Sequence, residues 1–459
     1  MPHNALSGNS LNRRQFLSRL GAAGTGAVLM QRSHPATAAD WENWSGWQKA
    51  TPQNIAYPTS EAELATLVRS STGPVRAFGG GHSFSAVALS QGTMISLEQL
   101  NGIVSSDATA LTATIRAGSR ISSLGPALKD VGQGLLNEAD INTQSLGGAI
   151  STATHGTGRK LQCYSATVRK LRIVLADGNI VECSTTQDAE LFEAAQVGVG
   201  SVGIFSEITL QNRAAYRLRE VVTVMSTDQV LATLQAERDQ HRHIEFFAFP
   251  FGNKAIVKRT DLSSDAPTPP AKSSDDDDSL LDWAADTARK HPWTNSWLQR
   301  TVGLFISDTV RVGDSFDIFP SPRVVQFNEM EYSMPVDQGM ACFAELRDTI
   351  RKQDIDVFFP IEFRYVAADE CWLSPFYQQD SVSISVHQYH KQDYHPFFAV
   401  AEPILRKHGG RPHWGKLHTL KARDLAALYP RFEDFVRVRN QADPQGKFMT
   451  PYTRELFTL

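Results

Sequence analysis

Residues 76–85 read Arg76-Ala77-Phe78-Gly79-Gly80-Gly81-His82-Ser83-Phe84-Ser85, a short apolar run that breaks on three glycines and ends in a histidine and a serine. The run from Val75 to Phe78 has the length of a buried strand. Glycine lacks a Cβ, so the chain can turn sharply and bring its amide N–H groups against an anion. A strand entering such a turn suits a pyrophosphate, and His82 adds an imidazole beside whatever is bound. A tight surface turn with a solvated histidine is equally compatible with these ten residues, because a lone glycine-rich loop is a weak signal.

A second cluster lies some sixty residues on: Ser145-Leu146-Gly147-Gly148-Ala149-Ile150-Ser151-Thr152-Ala153-Thr154-His155-Gly156-Thr157-Gly158. Small and hydroxylated residues alternate throughout. A backbone that lies flat against a large planar ligand, donating N–H and O–H groups to it, needs such a composition. A glycine-rich loop packed under a sheet is the competing reading. Two clusters in one domain point to an extended, nucleotide-like ligand.

The rest of the chain bounds the answer. Its 459 residues suit two domains, and the apolar and charged fractions are those of a globular protein. Net charge is -4 with no basic block, which excludes a nucleic-acid partner of the ordinary kind. Cys163, Cys183, Cys342 and Cys371 are far apart and form no CxxC pair, so neither a zinc site nor a disulfide framework follows. Residues 1–38 carry paired arginines (Arg13, Arg14), a weakly apolar Gly/Ala stretch from Leu20 to Met30, and the small-residue pattern Ala36-Thr37-Ala38. This is the pattern of a twin-arginine signal, and it predicts export to a periplasmic or extracellular location. The apolar stretch is too short and too glycine-rich for a stable membrane span.

Strand and helix signals alternate along the remainder. Ser60 to Glu63 resembles a capping box opening a helix, Ile121 to Val131 reads as a helix stopped by Gly132, and Asp177-Gly178 marks a hairpin. Val325–Ser333, Val357–Val366 and Ser381–Tyr389 read as strands, and Gln338–Lys352 and Phe397–His408 as helices. Between them, Asp261 to Leu280 holds three prolines and the run Asp275 to Asp278. It predicts a solvated loop or a partly disordered segment, without the ligand spacing of a calcium loop.

The glycine turn, the GG-x5-THGTG stretch and Gly198-Val199-Gly200-Ser201-Val202-Gly203-Ile204 occur in this order and resemble the FAD-binding domain of the vanillyl-alcohol oxidase superfamily. Asn328-Glu329-Met330-Glu331-Tyr332, Glu362-Phe363-Arg364, His413-Trp414-Gly415-Lys416 and Asp443-Pro444-x3-Phe448-x3-Tyr452 resemble its aldonolactone oxidase and alditol oxidase branch. The resemblance implies a two-domain α+β fold. Residues 40–215 are expected to bind FAD, 216–417 to form a substrate cap carrying an acidic insertion at 261–300, and 418–459 to return to the FAD domain.

Within that fold the resemblance assigns Gly79, Gly80, Gly81, His82, Ser83, Ala139, Gly147, Gly148, Thr152, His155, Gly156, Gly203 and Ile204 to the cofactor, with His82 bonded covalently to the flavin. It assigns Glu362, Arg364 and Lys416 to catalysis: the first two binding substrate hydroxyls and assisting deprotonation, the third near the flavin N1 and C2 carbonyl. Asp140, Ser385 and His387 fall at substrate-contacting positions. No metal is implied. The expected reaction takes hydride from a CH–OH carbon of a sugar lactone and passes electrons to O2 or another acceptor. Asp140 stands where alditol oxidases carry serine, which leaves the substrate undecided. A polyol oxidase and a carbohydrate-binding flavoprotein without turnover are the alternatives.

Overall fold

In the computed structural model the described residues are 40–269, 275–302, 308–321 and 325–459. Residues 1–38, which the sequence marks as an expected twin-arginine signal, lie outside them. Among the described residues no helix is long and apolar enough to cross a membrane.

The first part of the chain builds a three-stranded and a five-stranded sheet, with two short two-stranded pairings beside them. Strand Val75–Phe78 pairs in parallel with Thr93–Ser96, which pairs in parallel with Asn54–Ala56. The helix Glu61–Ser70 connects the outer strands, and Ser60 caps it by accepting from the Glu63 amide. A five-stranded antiparallel sheet follows, with Val168–Val174 and Ile180–Ser184 forming the hairpin that Asp177-Gly178 predicts. The helix Ile121–Asp130 ends before Gly132, whose φ is +76°.

The second part is dominated by one eight-stranded antiparallel sheet. Its order is Thr309–Asp314, Arg217–Ser226, Lys254–Ser263, His243–Ala248, Ile361–Val366, Ser381–Tyr389, Phe327–Pro335, Arg411–Pro412. Alternation gives the central strands two unlike faces. Phe246, Phe363, Ile384 and Met330 point to one side and pack with residues of the helices Gly339–Lys352 and His395–Lys407, as in the Phe246–Phe363 stack at 4.8 Å and the Phe246–Phe343 edge contact at 5.1 Å. The other side carries Glu245, Glu329, Glu331, Glu362, Arg364, Ser383, Ser385 and His387, all buried.

One expectation fails here. The acidic run is not a loop: residues Asp275–Lys290 form a helix. Ala284, Ala285 and Ala288 are buried against Phe84, Phe327 and Phe359.

The C-terminal segment packs on the first part of the chain. The Val75 amide donates to the Lys447 carbonyl (2.8 Å), and Arg437 pairs with Glu190.

Candidate functional site

At Gly79 and Gly80 the glycine turn leaves no room for side chains. A Cβ on Gly79 would lie 2.0 Å from Ser145 Oγ, and one on Gly80 would lie 2.6 Å from the Thr143 carbonyl oxygen. The Trp44 amide donates to Gly81 O (2.8 Å) and Asn43 Nδ2 to Ser83 O (3.0 Å). Phe84 N donates to Gly415 O (2.7 Å) and Ser85 Oγ to Trp414 O (2.8 Å). Two motifs 329 residues apart in sequence are thereby hydrogen-bonded into one wall. Buried Arg76 fastens the third glycine stretch, donating to the carbonyls of Val199 and Gly200 (2.7 Å each) and of Phe448 (3.1 Å).

Two cavities adjoin at this wall. The larger is lined by the glycine turn, Gly147, Gly148, Thr152, Gly203 and Ile204. The second is lined by Ala139, Asp140, His155, Glu329, Glu331, Glu362, Arg364, His387, His413 and Lys416. His82, Ser83, Gln144 and Thr152 line both, so the two are one trench. Its glycine-lined half suits a dinucleotide, and its charged half suits a small polar substrate.

His82 stands at the junction. Its ring stacks on Trp44 with centroids 5.4 Å apart, and Nε2 is hydrogen-bonded to Thr143 Oγ1 at 2.6 Å. Burial, then the nearby Lys416 and Arg120 charges, push its pKa down to about 4. The ring is therefore neutral at ordinary pH. Nδ1 is buried and has no hydrogen-bond partner among the described residues. A nucleophilic nitrogen without a protein partner, beside a glycine-lined cavity, fits an FAD whose ring reaches this point.

The Ser145–Gly158 stretch does two jobs. Residues Leu146–Ser151 form a short helix capped by Ser145, and its glycines face the large cavity. Beyond Thr154 the chain turns away to bind the large sheet: Thr157 Oγ1 donates to Ile244 O (2.9 Å) and Gly158 N to Tyr365 O (2.7 Å). Gly156 lines neither cavity. A Cβ there would lie 2.0 Å from Glu138 O, so its glycine serves close backbone packing.

The charged half is built by register. Glu362 lies opposite Ser385, Ser385 opposite Glu331, Arg364 opposite Ser383 and Glu245, and Glu329 opposite His387. Arg364 Nη2 donates to Glu331 Oε2 at 3.0 Å, and Arg364 Nε lies 3.3 Å from Glu362 Oε1. Lys416 Nζ donates to Glu329 Oε2 at 2.5 Å. His155 meets acceptors at both ring nitrogens, Gly156 O at 2.8 Å and Glu331 Oε1 at 2.6 Å. Burial alone would raise the Glu331 carboxyl, but Arg364 and His155 hold it well below its usual range; Lys416 and His387 do the same for Glu329. Glu362 Oε1, Arg364 Nε and Ser385 Oγ have no hydrogen-bond partner among the described residues. Fixed charges with unused hydrogen-bonding capacity are what a polar ligand would complete.

Every residue assigned from the sequence lines the trench except Gly156 and Ser385; the latter sits in the floor between Glu362 and Glu331. Sequence reasoning did not assign Glu329, Glu331, His413 or Glu245. The signal was present as Glu329-x-Glu331, two acids spaced to share a strand face.

Behind Ala139 and Asp140 lies Glu138, fully buried. Its Oε1 accepts from Ser315 Oγ at 2.7 Å, with Arg242, Tyr164 and Tyr216 as the other polar groups facing it. Burial pushes its pKa up to about 7, against the lowering effect of Ser315 and Arg242. A carboxyl whose folded pKa exceeds its unfolded value adds stability below the unfolded pKa, and that stability is lost as pH rises through the folded one. Glu245, also raised to about 7 by burial, acts in the same direction. Glu138→Gln is expected to flatten the fall in stability between about pH 4.5 and 7 by roughly 1–3 kcal/mol, measured by denaturant unfolding across that range. An unchanged profile would place the Glu138 carboxyl outside this balance.

The family model for D-arabinono-1,4-lactone oxidase matches residues 208–456, and that for an FAD binding domain matches residues 52–184. L-gulono-1,4-lactone dehydrogenase of Mycobacterium tuberculosis (strain ATCC 25618 / H37Rv) is 34% identical over 424 residues, covering 91% of this chain and 98% of that protein. L-gulonolactone oxidase of Scyliorhinus torazame is 28% identical over 439 residues, covering 91% and 98%. Among solved structures, a solvent-stable cholesterol oxidase superposes with a TM-score of 0.78 at 17% identity, covering 91% of this chain and 97% of that one, which shows a shared fold.

Proposed function

This chain belongs to the D-arabinono-1,4-lactone oxidase family, and from that premise we propose that it oxidises a CH–OH group of a sugar-derived aldonolactone of the D-arabinono-1,4-lactone or L-gulono-1,4-lactone type. It is an FAD-dependent oxidoreductase with an FAD-binding domain. Bound FAD supplies the acceptor to which the carbinol hydrogen passes as hydride. The observation that carries the reading is the convergence of Glu362, Arg364, His387 and Lys416 on a cavity that shares His82 with the glycine-lined one.

Glu362 Oε1 accepts the proton of the substrate hydroxyl, since it is buried and, beyond its ion pair with Arg364 Nε, has no hydrogen-bond partner among the described residues. Arg364, braced by Glu331, holds the oxygen as it becomes an alkoxide. Asp140 and His387 bind further hydroxyls of the ring. Lys416, braced by Glu329, is a cation fixed next to the shared wall and offsets negative charge gathered there. His82 holds the flavin covalently through a neutral ring nitrogen, which keeps the cofactor with the chain after export by the proposed twin-arginine route. Loss of export on replacing Arg13 and Arg14 by lysine would bear out that route; unchanged export would remove it.

Anaerobic mixing tests the central reading. L-gulono-1,4-lactone or D-arabinono-1,4-lactone is expected to bleach the visible flavin band faster than xylitol or sorbitol at equal concentration. Faster bleaching by the polyols would transfer the chain to open-chain substrates, and no bleaching by either class would end the proposal. Hydrogen peroxide released in air then separates O2 from another electron acceptor.

A further inference from the structure

Three residues of the cavity floor have a second capability beyond their part in alcohol oxidation. Glu329, Glu362 and His387 each present one donor atom, and all three atoms lie within 4.8 Å of one another. His387 Nε2 is 3.7 Å from Glu329 Oε1 and 3.8 Å from Glu362 Oε2. The three residues come from adjacent strands, so the sheet fixes their separation.

The tautomer of His387 is also fixed. Its Nδ1 faces the Pro360 carbonyl at 3.2 Å. A carbonyl only accepts, so Nδ1 carries the hydrogen and, in the neutral ring, Nε2 turns its lone pair toward the two carboxylates. A histidine whose outer nitrogen is bound to a backbone carbonyl while the inner one faces the donors of other residues is the usual setting of a metal ligand. A point equidistant from three atoms so spaced lies about 2.0–2.4 Å from each, close to the 2.0–2.2 Å of zinc bonds to nitrogen and oxygen. All three side chains are buried, and Glu362 Oε1, ion-paired with Arg364, makes no hydrogen bond among the described residues. The mixed nitrogen and oxygen set suits a first-row divalent ion, with a coordination position left toward the cavity.

We propose that Glu329, Glu362 and His387 bind a divalent transition-metal ion of the zinc type, and that the bound ion inhibits by occupying the substrate end of the cavity. The ion ties up Glu362, the proton acceptor, and competes with Lys416 for Glu329. Binding rests on the donor geometry alone; inhibition rests also on the reading of this cavity as the alcohol site.

The test uses the flavin-loaded protein and ZnCl2. Equilibrium dialysis is expected to find one tightly held zinc per chain, displaced by the lactone that the enzyme oxidises. Inhibition is expected to be competitive with lactone and reversed by EDTA. His387→Ala should raise the zinc concentration for half-inhibition by at least about tenfold, since even an outer-shell partner is worth 10–100-fold in affinity. His395→Ala, at the exposed His395–Asp393 pair, should leave it unchanged. If the alanine variant does not fold, displacement of zinc by lactone in the unmodified protein decides the matter. Absence of stoichiometric zinc, or inhibition indifferent to both His387 and lactone, overturns the proposal while leaving lactone oxidation standing. Zinc bound through His387 in a protein that oxidises no lactone would keep the metal site and sink the functional reading.

Discussion

Arg364→Ala is expected to slow anaerobic flavin reduction by lactone by 10²–10³-fold, the effect of removing one fixed stabiliser of a developing oxyanion (about 3–4 kcal/mol). Flavin content should change little, because Arg364 lines the charged cavity and not the glycine-lined one. The substitution also strips a counter-ion from buried Glu331 and Glu362, which costs stability. Arg364→Lys separates the two effects. It restores a positive charge near both carboxylates but not the two-armed guanidinium that reaches Glu331 with Nη2 and Glu362 with Nε. Its stability should recover well ahead of its reduction rate. Stopped-flow reduction, with flavin content and thermal midpoint measured on the same samples, provides the comparison. Small, equal losses in rate and flavin content would reduce Arg364 to one half of a structural ion pair.

His82→Ala should convert flavin that survives acid denaturation with the chain into flavin that is released by it. The side chain removed stacks on Trp44 and bonds Thr143, so the turn should persist, held as it is by backbone bonds from Trp44 and Phe84. Retention of some non-covalent flavin is therefore expected. The mass of the denatured chain gives the answer: an unmodified protein whose mass lacks the added flavin, or a His82→Ala chain that still carries it, would remove the covalent assignment.

Much of this molecule was open to inspection of its residues. The strand Val75–Phe78 and its glycine turn announce themselves through composition, and the pairing of Glu362 with Arg364 follows from a spacing of two on an extended segment. The helices behind the large sheet fall within a residue or two of their apolar periodicity. What could not be read was long-range. No local pattern says that Phe84 bonds Gly415, or that Glu331 lies opposite Ser385, because strand register is a tertiary choice. Gly156 illustrates the same limit. Its glycine was attributed to the cofactor, yet the carbonyl of Glu138 is what forbids a side chain there. The helix from Asp275 was missed because a run of acids reads as solvated chain unless its place at a helix N-terminus is known.

The polar groups of the cavity floor hang from the middle of a continuous antiparallel sheet and not from mobile connections. Glu362, Ser385 and Glu331 lie abreast on three strands and Glu329 lies opposite His387, and the ladder bonds beneath do not depend on which side chain is attached. A change of hydroxyl pattern in the substrate can thus be answered by exchanging one rung's substituent while the scaffold stays put. Such a chassis lets one ancestral architecture be retuned for many alcohols by single replacements.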